Sequence, residues 1–108
     1  MAEPVGIGRG DLSLIVLGAL AAREMYGYEL VGELRRLSGG VFDLPEGTVY
    51  PALRRLERRG LLSGRWVETD AGVRRRYYAV TRDGERALDA GRVAWRQFVA
   101  ATDALLGG

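Results

Sequence analysis

The 108-residue chain contains no cysteine, no histidine and no lysine, so all 16 basic residues are arginine. Without cysteine there is neither a disulfide framework nor a thiol nucleophile, and a Cys/His zinc site is excluded. Without histidine there is no Ser-His-Asp triad, no axial haem histidine and no imidazole titrating near neutral pH. The missing lysine removes a Schiff base and the lysine of a phosphate-binding loop. Long hydrophobic runs are missing too. The most apolar stretch, Leu12 to Ala22, covers 11 residues, about half of what a bilayer crossing needs. It also lacks the basic flank and small-residue cleavage site of a signal peptide. The expectation is a cytoplasmic protein with no membrane partner, no metal and no cofactor.

What is present suits one domain with a single modest core: 47% of residues are hydrophobic and 28% charged. Residues 1–10, with three glycines and a proline, read as a flexible N-terminal lead. Asp11 is a candidate N-cap for a helix from Leu12 to Glu24, whose nearly continuous apolarity predicts protein on several sides. A second helix is expected from Gly27 to Leu37, with Leu30, Leu34 and Leu37 on one stripe. Ser38-Gly39-Gly40 stops it. The third helix begins near Glu46 to Thr48 and ends at Gly60. Val49, Leu53 and Leu56 form its inner stripe, and Gly47, Pro51, Arg54, Arg55 and Arg58 its outer face. The period then changes to alternation over Ser63 to Thr69 and Val73 to Val80, a β-hairpin turning at Asp70-Ala71-Gly72. Thr81 caps a last helix running to Leu106. The fold class is mainly α with a small β-hairpin.

The net charge of +2 hides a strong polarity. Residues 1–53 carry 4 arginines and 7 acids, residues 54–76 carry 8 and 3, and residues 77–108 carry 4 of each. The basic block therefore coincides with the third helix and the hairpin. An α-helix fits the major groove of B-DNA, and arginines on its outer face reach base edges and phosphates. Arg74, Arg75 and Arg76 set further charge beside it, with Arg75 facing opposite to its two neighbours. Helical arginines next to Glu57 also suit a merely solvated face, and an arginine triplet suits an exposed strand. Both basic elements in one helix-helix-helix-hairpin order favour DNA.

These residues resemble the PadR-like family of bacterial transcription regulators. The resemblance lies in Leu17-Gly18-Ala19-Leu20, in Tyr26-Gly27-Tyr28-Glu29-Leu30, and in the long run from Gly47 to Leu61. It continues through Gly72-Val73-Arg74-Arg75-Arg76-Tyr77-Tyr78 and Val80-Thr81-Arg82-Asp83-Gly84. It implies a winged helix-turn-helix domain over residues 11–80 and a dimerisation helix over 81–108. It further implies a dimeric regulator, usually a repressor, whose third helix enters the major groove of a palindromic operator. By position, Thr48, Tyr50, Pro51, Arg54 and Arg55 would face DNA, with Arg74, Arg75 and Arg76 on the wing. Tyr28 would lie near the DNA backbone or the core, and packing between helices is an equal reading of Tyr28 and Tyr50. Phenolic-acid-responsive members carry a larger helical C-terminal region, whereas only one helix follows Thr81, so their induction does not transfer.

On that helix Leu88, Gly91, Trp95, Phe98, Thr102 and Leu105 fall on a heptad-like seam that a single domain cannot cover, predicting a homodimer. Multidrug-binding members of the short family branch hold flat aromatic ligands against a tryptophan at this part of the interface. Trp95 resembles it in position, making it a candidate platform for a small aromatic effector; the other reading is an interface anchor. A winged-helix module docking its arginines on an acidic protein partner is the alternative function. No catalytic residues are expected. Glu29 and Glu33 share a helix face, but no nucleophile, base and oxyanion constellation assembles around them.

Overall fold

The structure, a computed structural model, describes residues 12–107. The expected lead over residues 1–10 and the Asp11 cap lie outside the described residues. Helix α1 (Ser13–Leu20) is apolar on nearly all sides, and its Val16, Leu17, Ala19 and Leu20 are all buried. It ends four residues earlier than its composition predicts, because the chain from Met25 to Tyr26 pairs as a short strand, β1. Helix α2 (Gly27–Leu37) follows immediately. The backbone N–H of Tyr26 donates to Glu29 Oε1 at 3.3 Å, satisfying one of the donors that a helix start leaves open. Leu30 and Leu34 are buried, but Leu37 is not: it sits in the last turn, next to the glycines that end the helix, and is 59% exposed.

Helix α3 (Glu46–Arg58) buries Val49, Ala52, Leu53 and Leu56, which confirms the inner stripe. Pro51 is its sixth residue and has no N–H to offer the carbonyl of Gly47. Strands β2 (Leu62–Glu68) and β3 (Arg74–Val80) form the expected hairpin, closed by Gly72 at φ 78°. They belong to a three-stranded antiparallel sheet of order β1-β3-β2, with Met25 opposite Tyr78 and Tyr26 opposite Tyr77. The third strand is the one element that the sequence pattern did not predict.

Helix α4 (Arg82–Leu106) starts at Thr81, whose Oγ1 accepts from the Gly84 N–H at 3.0 Å and donates to the Gly60 carbonyl at 2.7 Å. One side chain thus caps α4 and ties it to the end of α3. The core gathers α1, the inner faces of α2 and α3, Met25, Leu62 and Tyr78, and Leu88 of α4. Each fully buried leucine contributes about 1.5–3 kcal/mol relative to leaving it exposed. Beyond Gly91, which packs on Leu14 of α1, helix α4 runs out past this core, and the described chain spans 55 × 28 × 22 Å.

Candidate nucleic-acid interface

The inner stripe of α3 fixes what its other face presents. With Val49, Leu53 and Leu56 turned inward, Thr48, Arg54, Arg55, Arg58 and Arg59 are exposed, while Pro51 is half-buried. None of these four arginines makes an ion pair among the described residues. Tyr50 is half-buried, and its hydroxyl donates to Glu46 Oε1 at 3.2 Å. Burial first, and then the Glu46 carboxylate, push this phenol above its ordinary pKa, so it remains a neutral donor. Tyr28 is not in the core: it is 67% exposed, with its ring stacked 6.5 Å from that of Tyr26.

The wing lies beside α3, and its register sorts the arginine triplet. Trp66 pairs with Arg76 and Glu68 with Arg74, so Arg74, Arg76 and Trp66 share one face of the hairpin. The Arg74 guanidinium lies 4.7 Å from the Trp66 ring centre and that of Arg76 lies 5.3 Å away. Arg75 points the other way, as its position in the strand predicts, and sits 4.5 Å from the ring of Tyr26. Arg74 and Arg75 make no ion pair among the described residues.

Arg76, expected among the DNA-facing side chains, has a partner within the chain. Its guanidinium is salt-bridged to Glu57 of α3, both side chains being 27% exposed, and this hydrogen bond holds the arginine above its ordinary pKa. The position of Gly64 is what lets it pass, since any Cβ there would meet the Arg76 guanidinium at 2.7 Å. Arg76 is therefore a strut between wing and third helix. A second ion pair, Arg65 with Glu24, ties β2 to the segment before β1, with Arg65 Nε 3.1 Å from Glu24 Oε2. The partner of Arg76 lies 19 residues away, and only the close packing of wing on helix brings the two together. Trp66 was readable in the sequence as the residue opposite Arg76 once the hairpin register was set.

The seam on α4 divides in two. Leu88 and Gly91 are buried within the chain, against the core and Leu14. Trp95, Phe98 and Leu105 are exposed at 43%, 42% and 88%, with Thr102 half-buried between them. Trp95 and Phe98 stack with ring centres 6.0 Å apart.

Three helices with an antiparallel hairpin folded against the third define a winged helix-turn-helix domain, here extended by one long C-terminal helix. The chain belongs to the PadR-like family of transcriptional regulators, whose description matches residues 16–90. A PadR-like transcriptional regulator from Bacillus cereus has the same fold with a TM-score of 0.77. It is 29% identical, with 93% of this chain and 95% of that one covered. A PadR family regulator from Eggerthella lenta is 34% identical over 91% of this chain and 83% of its own, also with a TM-score of 0.77. Among curated relatives, transcriptional regulator YqjI of Escherichia coli is 31% identical over 79% of this chain, which spans only 39% of its length. Bacillus subtilis PadR, solved in complex with operator DNA, shares the fold at 23% identity and a TM-score of 0.68, over 73% of this chain and 45% of its own. A family of transcription regulators is not an enzyme class. No described helix is long and apolar enough to cross a membrane.

Proposed function

We propose that this chain is a sequence-specific DNA-binding regulator that acts as a dimeric repressor on a palindromic operator. The observation that carries this reading is the set of arginines without an ion pair among the described residues, Arg54, Arg55, Arg58, Arg59, Arg74 and Arg75, on the third helix, at its C-cap and on the adjacent wing. Cations without carboxylate partners on a groove-sized element suit a polyanion, and Bacillus subtilis PadR, which shares the fold, was solved in complex with operator DNA. In this reading Arg54 and Arg55 reach base edges, with Thr48, Tyr50 and Pro51 at the leading end of the helix. Arg74 and Arg75 meet backbone phosphates, and Arg76 keeps the wing at its distance from α3.

Two copies pair through the uncovered part of α4, Trp95, Phe98, Thr102 and Leu105. Pairing sets two recognition helices about one helical turn apart, roughly 34 Å, to match a two-fold operator. A small hydrophobic or aromatic ligand at Trp95 releases the repressor from DNA. Fluorescence anisotropy with duplex DNA from upstream of the chain's own gene, against a scrambled duplex, tests the proposal. Saturable binding at least about tenfold tighter to the genomic duplex is expected. Equal binding to both contradicts sequence recognition, and binding to neither at moderate salt favours the acidic-protein partner instead.

A further inference from the structure

Arg74 has a carboxylate within reach and does not take it. The hairpin register sets Glu68 directly opposite Arg74, and side chains so placed on one face of an antiparallel pair are close enough to form an ion pair. Both residues are exposed, and neither belongs to an ion pair among the described residues. The Arg74 guanidinium lies instead along the diagonal, over Trp66 and 4.7 Å from its ring centre. Trp66 is itself tied to the third helix: the Arg76 guanidinium lies 5.3 Å from the same ring centre and is salt-bridged to Glu57. A chain of contacts therefore runs from α3 through Arg76 and Trp66 to Arg74. Trp66 is 56% exposed and outside the hydrophobic core, so core packing does not account for an indole at this position.

We propose that Trp66 is a positioning residue of the wing: it draws Arg74 off Glu68 and so keeps one cation free for a backbone phosphate. A ring face attracts a guanidinium through its quadrupole and, unlike a carboxylate, cancels none of its charge. Without the ring, Arg74 pairs with Glu68 and is neutralised at the wing, as Arg65 of the same hairpin is by Glu24. The use of this cation on DNA rests on the proposed function; the competition between ring and carboxylate does not.

Two measurements on the full chain test the proposal, with W66L, W66F and E68Q at exposed positions. Without DNA, the Arg74 Nε–H resonance should carry a ring-current displacement that W66L abolishes. E68Q should then move this resonance in the W66L background and leave it in place in the unmodified chain. With duplex DNA, W66L should lower the slope of log affinity against log salt by about 0.9, the share of one phosphate contact. W66F keeps a ring and should keep the slope. E68Q should restore the slope to W66L and leave that of the unmodified chain as it was. An unchanged slope in W66L, or a loss that E68Q does not restore, would overturn the proposal, the second because Trp66 would then act on DNA or on the wing without Glu68. Failure of the unmodified chain to bind any duplex would refute the proposed function instead. The resonance alone then decides, and an Arg74 Nε–H indifferent to W66L refutes the competition.

Discussion

The arginines next to and on α2 and those on α3 and the wing are one residue type in one small domain, yet their surroundings differ. Arg36 reaches both oxygens of Glu33 at 2.7 Å, Arg35 lies 3.7 Å from Asp43, and Arg23 lies 3.4 Å from Glu29. On the wing Arg65 and Arg76 are held in the same way by Glu24 and Glu57, but Arg54, Arg55, Arg58, Arg59, Arg74 and Arg75 have no such partner among the described residues. A paired arginine is locally neutral and adds little to the field outside, whereas an unpaired one projects its full charge. The same contrast runs along α4 in apolar form. Leu88 is 3% exposed and belongs to the core, while Leu105, on the same seam, is 88% exposed. Residue type sets what a side chain can do; its neighbours decide whether that capacity is satisfied inside the chain or directed outward.

Substitutions can break this contrast, the strongest first. Leu88→Ala should lower the unfolding free energy by about 2–5 kcal/mol in urea denaturation. Leu105→Ala should change it by less than about 0.5 kcal/mol at concentrations where the chain is monomeric. Comparable losses at the two positions would mean that the distal part of α4 is already covered within the chain. Arg54→Ala should weaken operator binding by about 1–3 kcal/mol if it reads a base, whereas Arg35→Ala should leave the affinity unchanged.

Thr81→Ala removes the side chain that joins the end of α3 to the start of α4, and a stability loss of about 1 kcal/mol is expected by thermal denaturation. The smallest effect concerns the exposed pair of Arg65 and Glu24. The Arg65 hydrogen bond, aided by its charge and opposed by desolvation, holds the Glu24 carboxyl below its ordinary pKa. A depressed folded pKa means stabilisation that is present above the unfolded carboxyl pKa and lost as pH falls through the folded value. Arg65→Ala should therefore raise the Glu24 midpoint seen by carboxyl NMR. An unmoved midpoint would show that the pair does not persist in solution.

Much of this fold was legible because its signals are local and periodic. Val49, Leu53 and Leu56 mark the inner face of α3, and Thr81 marks the start of α4 by its capping chemistry. What escaped was set by distant partners. Met25 and Tyr26 are too few to show any period, and they form a strand because Tyr78 and Tyr77 pair with them. Apolarity alone cannot mark the end of α1, so the predicted helix ran on to Glu24. The candidate site divides similarly. The exposure of Arg54 and Arg55 follows from their own helix, whereas Arg76 read as an outward cation until the wing brought it to Glu57. Leu88 and Gly91 fit the heptad seam equally well, but α1 packs over that part of α4.

The most direct test of the central claim is the salt dependence of operator binding in two double variants. Each arginine that neutralises a phosphate contributes about 0.9 to the slope of log affinity against log salt. Arg74→Ala with Arg75→Ala should reduce that slope by roughly 2, and Arg35→Ala with Arg36→Ala should leave it as in the unmodified chain. Equal slopes in both double variants would contradict the account, because paired and unpaired arginines would then meet DNA alike.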